Sequence, residues 1–101
     1  LSLPAEMGEL VNLLSLQVKT NELSELPKEL GKCEKLEKLD VSHNMLTQLP
    51  VEIGQLRGTL KLLDLEFNAL IFPPRAIIAK GTDNCLKFLE EMRVDRDKKS
   101  K

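Results

Sequence analysis

The chain has 101 residues, enough for one small domain, with 42% hydrophobic and 31% charged residues and a formal net charge of −1. This near-neutral balance supplies no bulk field for nucleic acid or an acidic membrane, and no apolar run approaches the roughly 20 residues that span a bilayer. Leucine contributes 21 residues, while Trp and Tyr are absent and Phe occurs three times, so one branched aliphatic must fill the same packing slot again and again.

Read in chain order, the residues repeat. Leu3-Pro4, Leu26-Pro27, Leu49-Pro50 and Phe72-Pro73 recur at a step of 23 residues, and Glu6, Glu29, Glu52 and Gly8, Gly31, Gly54 keep the same step. A second set runs alongside. Leu13, Leu16, Val18, Asn21 and Leu23 match Leu36, Leu39, Val41, Asn44 and Leu46, which match Leu60, Leu63, Leu65, Asn68 and Leu70. The chain therefore carries three copies of LxxLxLxxNxL, each preceded by a Leu-Pro step. Within each copy the LxL alternation has the period of a short half-buried strand, with Leu16/Val18, Leu39/Val41 and Leu63/Leu65 pointing inward. One such strand cannot bury its face alone; stacked copies forming a parallel sheet can. An Asn amide satisfies several backbone groups where the chain turns off the strand. Pro suits the start of a helical turn, Glu its positive end and Gly its stop, so Pro27-Lys28-Glu29-Leu30 reads as one turn ended by Gly31.

After Phe72 the pattern changes. Ala76–Lys80 is helical in character with Gly81 as its stop, and Thr82 or Asp83 can cap a second helix. In that helix Cys85, Phe88, Leu89 and Met92 share one face at i, i+3, i+4, i+7 spacing. From Asp95 the residues are charged and apolar-free, the pattern of a frayed tail. The boundaries are thus three repeats over 1–73, a helical cap over 74–94 and a charged flexible tail over 95–101. The chain begins at Leu1, in the middle of a repeat unit and without a signal-peptide pattern, so it reads as an excerpt of a longer protein whose residues 1–10 expose an apolar edge.

These motifs resemble the leucine-rich repeat family, in the 23-residue intracellular subtype of Ras-suppressor, erbin and scribble. The C-terminal stretch resembles the end of leucine-rich repeat-containing protein 40 and its relatives. The resemblance implies an α/β fold: a right-handed β/α solenoid, a short horseshoe with a concave parallel sheet and a C-terminal helical cap. It implies a buried ladder of Asn21, Asn44 and Asn68, and a partner surface on the concave face. The function it implies is protein–protein interaction, as a scaffold or adaptor in signal transduction, with a small GTPase, an effector or a phosphatase as partner. A second reading makes the chain the non-catalytic targeting segment of a kinase, ligase or cyclase.

The strand alternation says which residues face outward. With parallel strands about 4.8 Å apart, they form the columns Ser15–Lys38–Leu62, Gln17–Asp40–Asp64, Lys19–Ser42–Glu66 and Thr20–His43–Phe67. Lys19 and Lys38 lie towards the N-terminal side, and Asp40, Asp64 and Glu66 towards the other. Asp40 and Asp64 are adjacent like charges, which a basic partner group can relieve, unless Lys38 and solvent already do. Leu62 and Phe67 are apolar at outward positions and suit anchor residues in a polar rim, unless the cap folds over Phe67. The candidate contact residues are therefore Lys38, Asp40, His43, Leu62, Asp64, Glu66 and Phe67. His43, the one histidine, lacks a second ligand at metal spacing and a nucleophile with an oxyanion donor, so neither a metal, a cofactor nor catalysis is expected. No glycine-rich phosphate loop, small-molecule site or basic aromatic stripe is present. Cys33 and Cys85 read as packing residues of a reducing compartment, the cytoplasm.

Overall fold

A computed structural model describes residues 2–99; Leu1, Ser100 and Lys101, and with them the ends of the expected apolar edge and charged tail, lie outside the described residues. The chain forms three strands, β1 (Ser15–Gln17), β2 (Lys38–Asp40) and β3 (Leu62–Asp64), in one parallel sheet of order β1-β2-β3. The register aligns Leu16, Leu39 and Leu63, so the leucine slots stack. Before each strand lies a short 3₁₀ helix: Ala5–Glu9, Lys28–Lys32 and Val51–Leu56. Two helices follow, α1 (Arg75–Ile78) and α2 (Thr82–Lys99). The arrangement is a small α/β leucine-rich solenoid.

The core is the repeated slot set. Leu23 and Leu46, Leu26 and Leu49, Leu30 and Ile53, Cys33 and Leu56, and Leu36 and Leu60 are buried pairs related by the repeat step. The first repeat lacks a neighbour on its outer side among the described residues. Its Leu10, Val11 and Leu14 are exposed, and Leu3, Met7, Leu13 and Leu16 are only partly buried.

Pro4, Pro27 and Pro50 stand one position before their helices, with φ of −73°, −71° and −68° and extended ψ. The prolines therefore precede the turns rather than occupy the first helical position. The glycines also differ from expectation. Gly8, Gly31 and Gly54 do not stop the turns; each lies inside its 3₁₀ helix and is buried. Their role is close approach. A Cβ on Gly8 would lie 2.9 Å from the Glu29 carbonyl oxygen, and one on Gly31 would be closer still to the carbonyl oxygen of Glu52. On Gly54 it would strike the backbone of Glu90 in α2. Each glycine is thus the point where one convex turn rests on the next, and α2 takes the place of a fourth turn.

The cap packs through Cys85, Leu86 and Leu89, with Phe88 tilted against Phe72 at a centroid distance of 5.7 Å. Leu86 takes the place expected of Met92, which is exposed. Gly81, at φ +106°, does end the α1 segment, in a conformation that glycine adopts without strain. Asp95–Lys99 is helical rather than frayed. Arg96 bridges to Glu52 of the third convex turn at 2.7 Å, and Arg93 bridges to Glu90 and Asp97 on its own helix. The Arg96–Glu52 pair ties this charged segment to the third convex turn.

Candidate partner-binding face

The turn off each strand is built by asparagine. The Asn44 Oδ1 accepts the N–H groups of Asn21 and Leu23, both at 2.9 Å, while its Nδ2 donates to the carbonyls of Val18, Val41 and Ser42. Asn68 repeats this one step on, accepting from Leu46 N–H and donating to Val41, Leu65 and Glu66. Each amide reaches back to the preceding repeat. Asn21 has no preceding turn to reach among the described residues; its side-chain amide donates to Val18 and Lys19, and it is exposed. Only Asn44 is fully buried, and Asn68 is half-buried. The expected ladder is therefore present as hydrogen bonds but buried only at its centre.

Just before each Asn, the backbone enters the left-handed region at the same repeat position: φ is 61° at Thr20, 55° at His43 and 59° at Phe67. Non-glycine residues rarely adopt it. At Thr20 and His43 the bend is accompanied by backbone bonds, Thr20 N–H to the Ser42 carbonyl and His43 N–H to the Glu66 carbonyl, and Phe67 keeps it without one among the described residues. It aligns the side chains of His43 and Phe67, whose rings stack with centroids 4.3 Å apart and planes 20° from parallel. Phe67 is 69% exposed, so the cap does not cover it. Leu62, at the start of β3, is 51% exposed.

The strands pair Ser15 with Lys38 and Leu62, and Gln17 with Asp40 and Asp64, placing the two carboxylates side by side. Each turns onto the backbone two residues ahead. The Asp40 Oδ1 accepts the Ser42 hydroxyl at 2.7 Å and the Ser42 N–H at 3.0 Å; the Asp64 Oδ1 accepts the Glu66 N–H at 3.1 Å. The Ser42 hydroxyl and N–H, with smaller help from the charges of Lys19 and His43, hold the Asp40 carboxyl below its ordinary pKa. Asp40 therefore keeps its charge beside Asp64 without a partner. Ser42 itself is buried rather than outward, because its hydroxyl folds onto Asp40.

The face thus carries Lys38 and Glu66 exposed, Asp40 and Asp64 half-buried, the stacked rings of His43 and Phe67, and Leu62 apart from them at the start of β3. Two exposed apolar side chains lie outside the sequence-derived set, Met45 and Ile71. They sit on adjacent loops leaving β2 and β3, where Ala69 N–H donates to Leu46 and Ile71 N–H to Thr47. The signal for them is positional: Met45 stands where the first repeat has Glu22, and Ile71 where the others have Ser24 and Thr47.

Cys33 donates to the Met7 carbonyl, and burial raises its pKa; burial pushes the Cys85 thiol up to about 11. Both are thiols packed in the core. Among the described residues no group of three His, Cys, Asp or Glu is placed to hold a metal, and no helix is long and apolar enough to cross a membrane.

Comparison with known proteins agrees with this geometry. The family model described as Leucine Rich Repeat matches residues 35–56, the central repeat. A solved leucine-rich repeat protein of Leptospira interrogans is 39% identical and superposes on 82% of this chain with a TM-score of 0.68. The chain spans 21% of that protein's length. No curated protein sequence matches. With three stacked copies of one strand-and-turn unit, an asparagine at each bend and a solved homologue of the same build, the chain belongs to the leucine-rich repeat family.

Proposed function

We propose that the chain is a protein-binding module whose concave face takes the partner. The observation that carries this is the stacked, exposed pair His43–Phe67. Left to itself, a large aromatic at 69% exposure gains little; on a rigid sheet, beyond the acidic positions Asp64 and Glu66 of its own repeat, it has the form of an interface anchor. Backbone bends that recur in every repeat hold the pair, so little ordering entropy is lost on binding. The two carboxylates favour a partner with a basic group opposite Asp40 and Asp64. The resemblance to scaffold repeats supports a role as scaffold or adaptor, with a small GTPase, effector or phosphatase as the class to try first. Two buried thiols suit a reducing compartment, so the cytoplasm is the place to look. The test is affinity capture with three immobilised chains: the unaltered one, Phe67→Ala on the face, and Glu34→Ala on the exposed convex side. A partner retained by the first and third and lost from the second supports the proposal. One retained equally by all three overturns it.

A further inference from the structure

The sheet is left open at its C-terminal edge, although the convex side beneath it is capped. In the first repeat, Val18 and Thr20 donate their N–H groups to the carbonyls of Asp40 and Ser42 on the next strand, at 2.9 and 3.2 Å. In the second, Val41 and His43 donate to Asp64 and Glu66, both at 3.0 Å. The equivalent groups of the third repeat are the N–H groups of Leu65 and Phe67. Neither has an acceptor among the described residues. One position earlier in the ladder, Leu63 N–H is taken by the Thr82 hydroxyl of α2 at 3.3 Å. The cap therefore closes the ladder at Leu63 and stops. Beyond it lies a cleft of about 460 Å³, with Leu63, Asp64, Leu65 and Glu66 as one wall and Ile78 and Ala79 in the other.

We infer that this cleft takes an extended peptide segment of a partner protein, which joins β3 as a fourth parallel strand and carries basic residues at two alternate positions. Strand addition to an open edge supplies main-chain bonds for affinity and alternate side-chain sites for specificity. The register follows from the two repeats already paired. The carbonyl of one peptide residue accepts from Leu65 N–H, and the carbonyl two residues on accepts from Phe67 N–H. Those two residues then stand on the concave face, beside Asp64 and Glu66, the acidic end of the sheet. Lys or Arg at both is the complementary choice. The residue between them points inward, towards Ile78 and Cys85, and must be apolar. The proposal concerns the edge of the sheet and goes beyond the reading of its face.

The test uses the full ¹⁵N-labelled chain and the peptide acetyl-Thr-Lys-Val-Lys-Thr-amide, followed by amide shifts and hydrogen exchange. In the free chain, the Leu65 and Phe67 amides are expected to exchange far faster than those of Val41 and His43. On titration they shift, and their exchange slows at least tenfold. Ala79→Trp, which fills the opposite wall from an exposed position, abolishes the response. The double variant Asp64→Asn, Glu66→Gln weakens binding about fivefold at low salt, as expected for two exposed ion pairs, and needs no change in the core. Three results overturn the inference: equal binding of acetyl-Thr-Glu-Val-Glu-Thr-amide; amide shifts confined to Ser15, Lys38 and Leu62, which place the peptide across the face and leave the edge empty; or Leu65 and Phe67 amides that move with protein concentration alone, which makes a second copy the occupant.

Discussion

Gly54 meets Glu90 backbone to backbone, so that α2 rests on the last convex turn where a further repeat would lie. The same contact joins Gly8 to Glu29 and Gly31 to Glu52. Adding a methyl group there must push two backbone segments apart, which neither can yield cheaply. Gly31→Ala and Gly54→Ala are each expected to lower unfolding stability by about 2–3 kcal/mol, the upper range for overpacking. Gly58, which has open space around its Cα and an ordinary φ, is the control: Gly58→Ala is expected to be neutral or slightly stabilising. Urea denaturation of the three variants checks both halves.

The asparagines separate by burial. Asn44→Leu leaves the N–H groups of Asn21 and Leu23 without an acceptor in the middle of the solenoid, and takes one donor each from the carbonyls of Val18, Val41 and Ser42, which keep Asn21, Asn68 and Thr20. A cost of about 3 kcal/mol or more is expected, since an unsatisfied buried group costs about 1–3 kcal/mol. Asn21→Leu loses two bonds near solvent, where water replaces them, and is expected to cost about 1 kcal/mol or less. Thermal melts of the two variants give the comparison. Equal melting temperatures would show that the central position holds no special weight.

Periodic features were the legible ones. Three strands, their register, the outward columns and the asparagine bends all follow from a spacing that repeats, because each copy must satisfy the same neighbour contacts. What the spacing could not show was which of two physical reasons selects a residue. Gly31 at the end of a turn suits both a left-handed stop and a close approach, and only the stacked backbone of Glu52 decides between them. Thr82 suits a helix cap, but its hydroxyl is spent on the N–H of Leu63. Ser42 alternates outward on paper, yet its hydroxyl is better satisfied by Asp40 than by water. Asp95–Lys99 lacks any apolar signal, and it meets the third convex turn through an ion pair from Arg96 to Glu52, 44 residues earlier in the chain. His43 and Phe67 were each identifiable as candidates, but their stacking depends on a left-handed bend that no residue preference announces.

The Arg96–Glu52 bridge is solvent-exposed on the arginine side, so its effect is local and salt-sensitive. Glu52→Gln is expected to speed amide exchange over Asp95–Lys99 while leaving exchange at Leu86 and Leu89 unchanged. The same speeding is expected in the unaltered chain at 1 M salt. Uniform exchange along α2 in both forms would mean the bridge does not anchor the end.

The Asp40 carboxyl provides a pH reading. Its folded-state pKa lies below the unfolded value, chiefly because it accepts the Ser42 hydroxyl and N–H. It therefore contributes stability above the unfolded value, and that contribution is lost as pH falls through the folded value. Ser42→Ala removes the hydroxyl bond, so the Asp40 titration, followed by carboxyl ¹³C shift, is expected to move up towards the ordinary aspartate range. A titration that stays in place would assign the shift to the Ser42 N–H, which the variant keeps, and to the charges of Lys19 and His43.

The central claim is that the concave face, through Phe67, binds a protein partner. Its most direct test is titration calorimetry of the captured partner against the unaltered chain and Phe67→Ala, with folding of the variant verified by its melt. Loss of an interface anchor costs about 2 kcal/mol or more, so the variant is expected to bind at least tenfold more weakly at unchanged stability. Equal affinity for the two chains would contradict the claim and move the partner off this face.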